Sequence, residues 1–224
     1  MKYISKTVEP KSLINFKNLK YPKFTPSFEN LPPSVLHDII QHLIHDQGYL
    51  CCYTLDEITP ETAILVHIHT PKYFPDRGLN YENMFLALRQ PDNLPPKLAV
   101  GYQSKGETVI PDYLSDERCG AYFRYNTLGE IIPAGTFRTV KKCRDNFKKL
   151  TPEQQMAFCT IDLLNLNADH LKQQRKTIFN QVTELVRKMP RPQIQKVIKK
   201  LKEKDKFGKY RRYQDVMVYY LENL

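Results

Sequence analysis

The chemically best-equipped stretch of the chain lies between positions 51 and 83: Cys51-Cys52-Tyr53-Thr54, Val66-His67-Ile68-His69-Thr70-Pro71-Lys72 and Asn80-Tyr81-Glu82-Asn83. Phosphodiester hydrolysis needs a base for the nucleophile, an electrophile to take up charge on the phosphate, and a group that orients the base. His67 at a strand end and Asn83 early on the next helix can meet. In that arrangement His67 deprotonates water while the Asn83 side-chain carbonyl holds its other ring nitrogen in one tautomer. His69 is two positions from His67, so a regular strand points both rings to one face, as a base and acid pair or as two ligands of a cation. RNA cleavage can run on two histidines without metal, because the 2′-hydroxyl is an internal nucleophile.

The charge pattern suits such a substrate. The 224 residues carry 34 Lys+Arg against 24 Asp+Glu, a net +10. Residues 1–24 hold six Lys and one acid, residues 171–212 hold fifteen Lys/Arg and three acids, and the remainder is net −7. Basic ends around a mildly acidic middle fit a polyanion gripped by the ends, or equally a solvated surface. Lys199, Lys200, Arg211 and Arg212 lie near Phe207, Tyr210 and Tyr213, so phosphate contacts and base stacking could combine there; the alternative is a solvated helix with its Tyr rings on the core.

The elements that must position these groups follow from periodicity and punctuation. Five prolines in residues 1–33 predict an extended basic arm. Pro32, Pro33 and Ser34 start a helix whose apolar face is Leu36, Ile39, Ile40, Leu43 and Ile44. Residues 49–53 and 63–68 read as two strands of a hairpin, and 81–89 as a helix. Residues 121–125 and 130–132 suggest a second hairpin. From Thr151 the pattern is helical, with Pro152 in a first turn and Asn167 capping a helix that presents Leu171, Ile178, Val182 and Leu185.

Composition bounds the rest. The chain can hold one elaborate domain or two small ones. The start MKYISKTVEPK lacks a signal-peptide pattern, and five cysteines fit reduced thiols, so a cytoplasmic protein without membrane association is expected. Cys119, Cys143 and Cys159 have no metal-ligand spacing and read as buried structural thiols. His37, His42 and His45 share no helix face and receive no chemistry.

Gly48-Tyr49-Leu50-Cys51-Cys52-Tyr53, His67 with Pro71-Lys72, Tyr81-Glu82-Asn83, Phe123-Arg124-Tyr125, Gly129-Glu130-Ile131-Ile132-Pro133 and Leu164-Asn165-Leu166-Asn167 occur in an order that resembles the PtuB-like branch of the HNH endonucleases, found in Septu and retron antiphage systems. The resemblance spans roughly residues 1–185. It implies a mostly helical α+β protein: an extended basic arm at 1–33, an HNH-like ββα core with insertions at 34–150, and a helical basic C-terminal region at 151–224. It also implies a nuclease effector, held by a PtuA-like SMC/ABC-type ATPase and by a retron reverse transcriptase with its RNA-linked DNA (msDNA), that cuts nucleic acid on infection.

Departures from that pattern shape the expected chemistry. Thr54 replaces a zinc-site cysteine, and Leu88 and residues 98–102 supply none, so no structural zinc is expected. Val66 replaces the acidic residue before the histidine, and Tyr102 stands where a later histidine belongs, in Gly101-Tyr102-Gln103-Ser104-Lys105. A divalent cation, Mg2+ or Mn2+, held by His67 and Asn83 would be weak. The pattern favours RNA, with tRNA a candidate: His67 as base, His69 as acid or second ligand, Asn83 as orienter, and Tyr102 or Lys105 on the phosphate. A metal-dependent DNA endonuclease and a catalytically inactive adaptor for nucleic acid and the ATPase are the rivals. No helix-turn-helix signature supports a sequence-specific DNA-binding protein.

Overall fold

Pro33 opens the first long helix in its first turn, where a missing N–H costs nothing. In the computed structural model, which describes residues 1–223, that helix is α2, Pro33–Asp46, preceded by a short α1, Lys11–Lys17. The fold is α+β: helices dominate, and two small antiparallel sheets of two strands each complete it. Residues 1–33 are therefore not extended throughout. Ile4, Leu13 and Phe16 are buried in the main core beside Ile39, Leu43 and Ile44 of α2. The prolines conceal a two-turn helix that begins directly after Pro10.

The first sheet pairs β1, Ala63–His67, with β2, Met84–Leu88, and sets His67 opposite Met84. This corrects two expectations. Residues 81–89 are not a helix: Tyr81–Asn83 make one 3-10 turn, and Met84-Phe85-Leu86-Ala87 is buried on both faces of a strand. A short, wholly apolar run does not distinguish buried strand from buried helix by period. Residues 49–53 are not the partner strand either. Positive φ at Gly48, Tyr49 and Leu55 curls the segment into a tight turn with a single bridge, Leu50 to Glu57. The buried Gln47 side chain serves β2 instead, accepting the Leu86 N–H at 2.7 Å and donating to the carbonyls of Leu50 (2.7 Å) and Leu86 (2.9 Å).

After β2 comes a one-turn helix, α3, Tyr102–Lys105. The second hairpin forms as expected but shorter, β3 Phe123–Tyr125 against β4 Ile131–Pro133. Helices α4 (Val140–Asp145), α5 (Pro152–Leu163), α6 (Asp169–Lys188), α7 (Arg191–Leu201) and α8 (Gln214–Asn223) follow. Thr151 and Gln154 cap α5 reciprocally around Pro152. Asn167 does not cap α6; Ala168 holds that position, and the Asn167 amide pairs with the Ile131 backbone in both directions at 2.9 Å. Gly129, at φ +76°, lies where any Cβ would collide with the Lys172 carbonyl of α6.

Ile178, Val182, Ile194, Ile198 and Val216 form a second core among α6, α7 and α8, whereas Leu185 is exposed. Cys119 and Cys143 are buried, but Cys159 lies on the exposed face of α5 and is not a structural thiol. Among the described residues no helix is long and apolar enough to cross a membrane.

Candidate active site

His67 closes β1, and its ring is sandwiched by the N-terminal segment and the 68–80 loop. Phe28 meets it edge to face at 4.6 Å between centroids. Nε2 lies 3.0 Å from the Gly78 carbonyl, which can only accept, so Nε2 carries the proton and Nδ1 is an acceptor without a partner among the described residues. Burial pushes its pKa down to about 4, helped by the nearby Lys105 and Lys6 ammonium groups and opposed by the Gly78 hydrogen bond. The ring is neutral at pH 7.

Asn83 does not orient that ring. Its Oδ1 accepts the His69 backbone N–H at 2.8 Å, and its Nδ2 donates to the carbonyls of His69 (2.8 Å) and Arg77 (3.0 Å). The buried carboxamide thus staples both ends of the loop that carries Gly78, and the Gly78 carbonyl holds His67. Nor does the structure pair the two histidines. β1 ends at His67, and His69 lies in a bend with its ring 5.2 Å from Phe74 and its Nδ1 3.3 Å from the Arg77 guanidinium. With the strand ended, the two-residue alternation that would align the rings no longer applies.

His67 instead shares a cleft of about 160 Å³ with Tyr53, Val66, Tyr102 and Lys105. Lys105 is 5% exposed, and among the described residues its ammonium makes one hydrogen bond, a long 3.4 Å contact to the Gly106 carbonyl, and no ion pair with a carboxylate. Burial lowers its pKa. Tyr102, whose hydroxyl accepts the Gln90 N–H at 3.2 Å, forms one wall. Tyr53 forms another, and its buried hydroxyl has no partner among the described residues. A buried cation and an imidazole nitrogen without a partner among the described residues, both on residues that line one opening, make a site for an anion that brings a proton to be removed.

The turn beside the cleft holds Cys51 by hydrogen bonds. Its sulfur accepts the Leu88 N–H at 3.3 Å. Burial pushes the thiol up, but bonds from Cys52, Thr54 and Leu88 outweigh it and hold it at about 6. Among the described residues no three His, Cys, Asp or Glu side chains gather as a metal cage.

No family model matches the chain, and no curated protein does. The donors of the expected cation site fit a divalent ion poorly: Val66 is apolar, both polar atoms of the Asn83 amide are spent on backbone, and Lys105 sets a positive charge beside His67.

The distal basic residues divide. Lys199 and Lys200 are exposed on α7, and Arg211 is exposed after it. Arg212 pairs with Asp56, Nη2 to Oδ2 at 3.0 Å, directly beside the Cys51–Asp56 turn. Of the three aromatic residues near them, Tyr213 is buried, Tyr210 packs under Gly48, and Phe207 projects at 65% exposure. Sequence reasoning missed Phe28, Gly78 and Lys6. Lys6 Nζ donates to the Tyr81 carbonyl at 2.6 Å and lies 3.8 Å from the Phe85 ring centroid, and burial pushes it down to about 8. Of these only Gly78, the lone glycine in its loop, left a signal.

Proposed function

We propose that the chain is an endoribonuclease that cleaves without a catalytic metal, with His67 as general base and Lys105 as the phosphate's counter-charge. The observation that carries this reading is the presence in one cleft of a neutral imidazole and a buried ammonium, Nδ1 and the ammonium having no acidic partner among the described residues. His67 Nδ1 takes the proton of a 2′-hydroxyl, whose oxygen attacks phosphorus. The bond to the 5′-oxygen breaks, and that oxygen takes a proton from the Lys105 ammonium, whose burial has loosened it. The products are a 2′,3′-cyclic phosphate and a 5′-hydroxyl. A base held at about 4 is weak, but a bound phosphate offsets the Lys105 charge and raises it.

The order β1, Asn83 at the head of β2, and α3 supports an HNH-like ββα unit reduced to one helical turn. On the motif resemblance, the wider role is that of an antiphage effector restrained by a PtuA-like ATPase and a retron reverse transcriptase with its msDNA. Transfer RNA is the candidate substrate. The depressed His67 favours one alternative, an inactive adaptor that keeps the phosphate site for binding alone.

Incubating the purified protein with total RNA in EDTA and mapping the new ends separates them. Cyclic-phosphate ends that vanish with His67→Ala are expected. Absence of cleavage by the wild type, or cleavage indifferent to that substitution, overturns the enzyme.

A further inference from the structure

We propose that the apolar cavity behind Tyr53 and Tyr102 holds one unstacked nucleobase beside the phosphate at Lys105, which makes the substrate single-stranded. This rests on the cleft being a phosphodiester site. The cavity measures about 330 Å³. Tyr53 and Tyr102 belong to both openings, so a group in the cavity is one side chain's thickness from the cleft.

Leu88, Leu94, Leu98 and Val100 give it an apolar lining that rewards a flat, weakly polar group, and the Cys51, Thr54 and Gln90 that also line it add hydrogen-bonding atoms but no positive charge for a phosphate. Charged and titratable groups line it too: His170 at the start of α6, and Asp56, which pairs with Arg212. A base inside would therefore adjoin the cleft that Lys105 lines, and touch the Asp56 that Arg212 pairs with. Tyr53 offers the base its ring, its hydroxyl being buried without a partner among the described residues. A duplex keeps its bases paired and stacked, whereas loops and single strands can splay one out onto aromatic rings.

The test is binding, read separately from cleavage. The probe is a labelled 2′-O-methyl RNA of about 12 nucleotides, close to the footprint of small single-strand binders, measured by anisotropy in EDTA as single strand and as duplex. The blocked 2′-oxygens prevent the proposed chemistry. Leu98 is 47% exposed, so Leu98→Trp can fill the cavity from its rim without disturbing the core, and Leu94→Trp does so from another wall should the first variant not fold.

The single strand is expected to bind about ten-fold tighter than the duplex, and each Trp variant to lose about that factor for the single strand only, the worth of one stacked base. Equal affinity for both forms, or single-strand affinity untouched by the substitutions, overturns the proposal and leaves the cavity to some other apolar occupant. Tight single-strand binding without cleavage of unmodified RNA would sink the nuclease reading and leave the base pocket standing.

Discussion

The Asn83 carboxamide grips the His69 backbone from both sides, accepting its N–H at 2.8 Å and donating to its carbonyl at 2.8 Å. One planar side chain thereby imitates a strand partner and fastens the loop that returns Gly78 to the His67 ring.

Asn83→Ala leaves part-buried backbone groups at His69 and Arg77 without partners and should cost about 1–3 kcal/mol in urea unfolding. Asn83→Asp should fare little better, because a carboxylate cannot donate to those two carbonyls. Unchanged midpoints for both would show that the loop holds itself.

Acid should expose His67. Its folded pKa, about 4, lies below the ordinary 6.5. Between those values the unfolded chain takes up a proton that the folded chain refuses, so stability falls as the pH drops through that window and is regained above it. The loss is on the order of 2–3 kcal/mol. Replacement by Gln, which can still donate to Gly78, should flatten this part of a stability-against-pH curve. An equal slope in the variant would assign the effect to other groups.

Lys105→Met should separate stability from activity. Removing a buried ammonium without a carboxylate partner is expected to stabilise the protein by about 1 kcal/mol in thermal unfolding. Cleavage, or phosphate-dependent RNA binding if cleavage is absent, should fall about 100-fold. A variant that is both less stable and fully active would remove Lys105 from the site.

Gly129→Ala should be among the most damaging small substitutions in the chain. Positive φ and the Lys172 carbonyl leave no place for a methyl group, and a cost of about 3 kcal/mol or more is expected. Circular dichroism melting would show it. A neutral result would mean that α6 can back away from the hairpin.

Some of this was legible in the chain. Pro33 and the Leu36, Ile39, Ile40, Leu43, Ile44 spacing announce α2, though Val35 is buried where Leu36 and Ile40 are half-buried, and Thr151-Pro152 announces α5, because helix starts and helical period are local. The shared cleft of His67 and Lys105 follows the linear order of the motifs. Asn83 was placed near the site for the wrong reason: its partners are backbone atoms of a folded loop, which no spacing rule reports. Met84–Leu88 misled because a strand buried on both faces loses its alternation. Phe28 and Lys6 reach the site from a proline-punctuated segment, through contacts 39 and more positions away in sequence for Phe28 and 75 for Lys6 to Tyr81.

Lys204 hooks the carbonyls of His45 and Asp46 at the end of α2, Tyr210 donates its N–H to Gly48, and Tyr213 donates its N–H to Leu55. The last quarter of the molecule is thus a buttress for the Cys51–Asp56 bend. A truncation that strips this basic tail to obtain a minimal fragment would also remove the strut on which the tyrosine wall leans, so lost activity in such a fragment would say nothing about who touches the substrate.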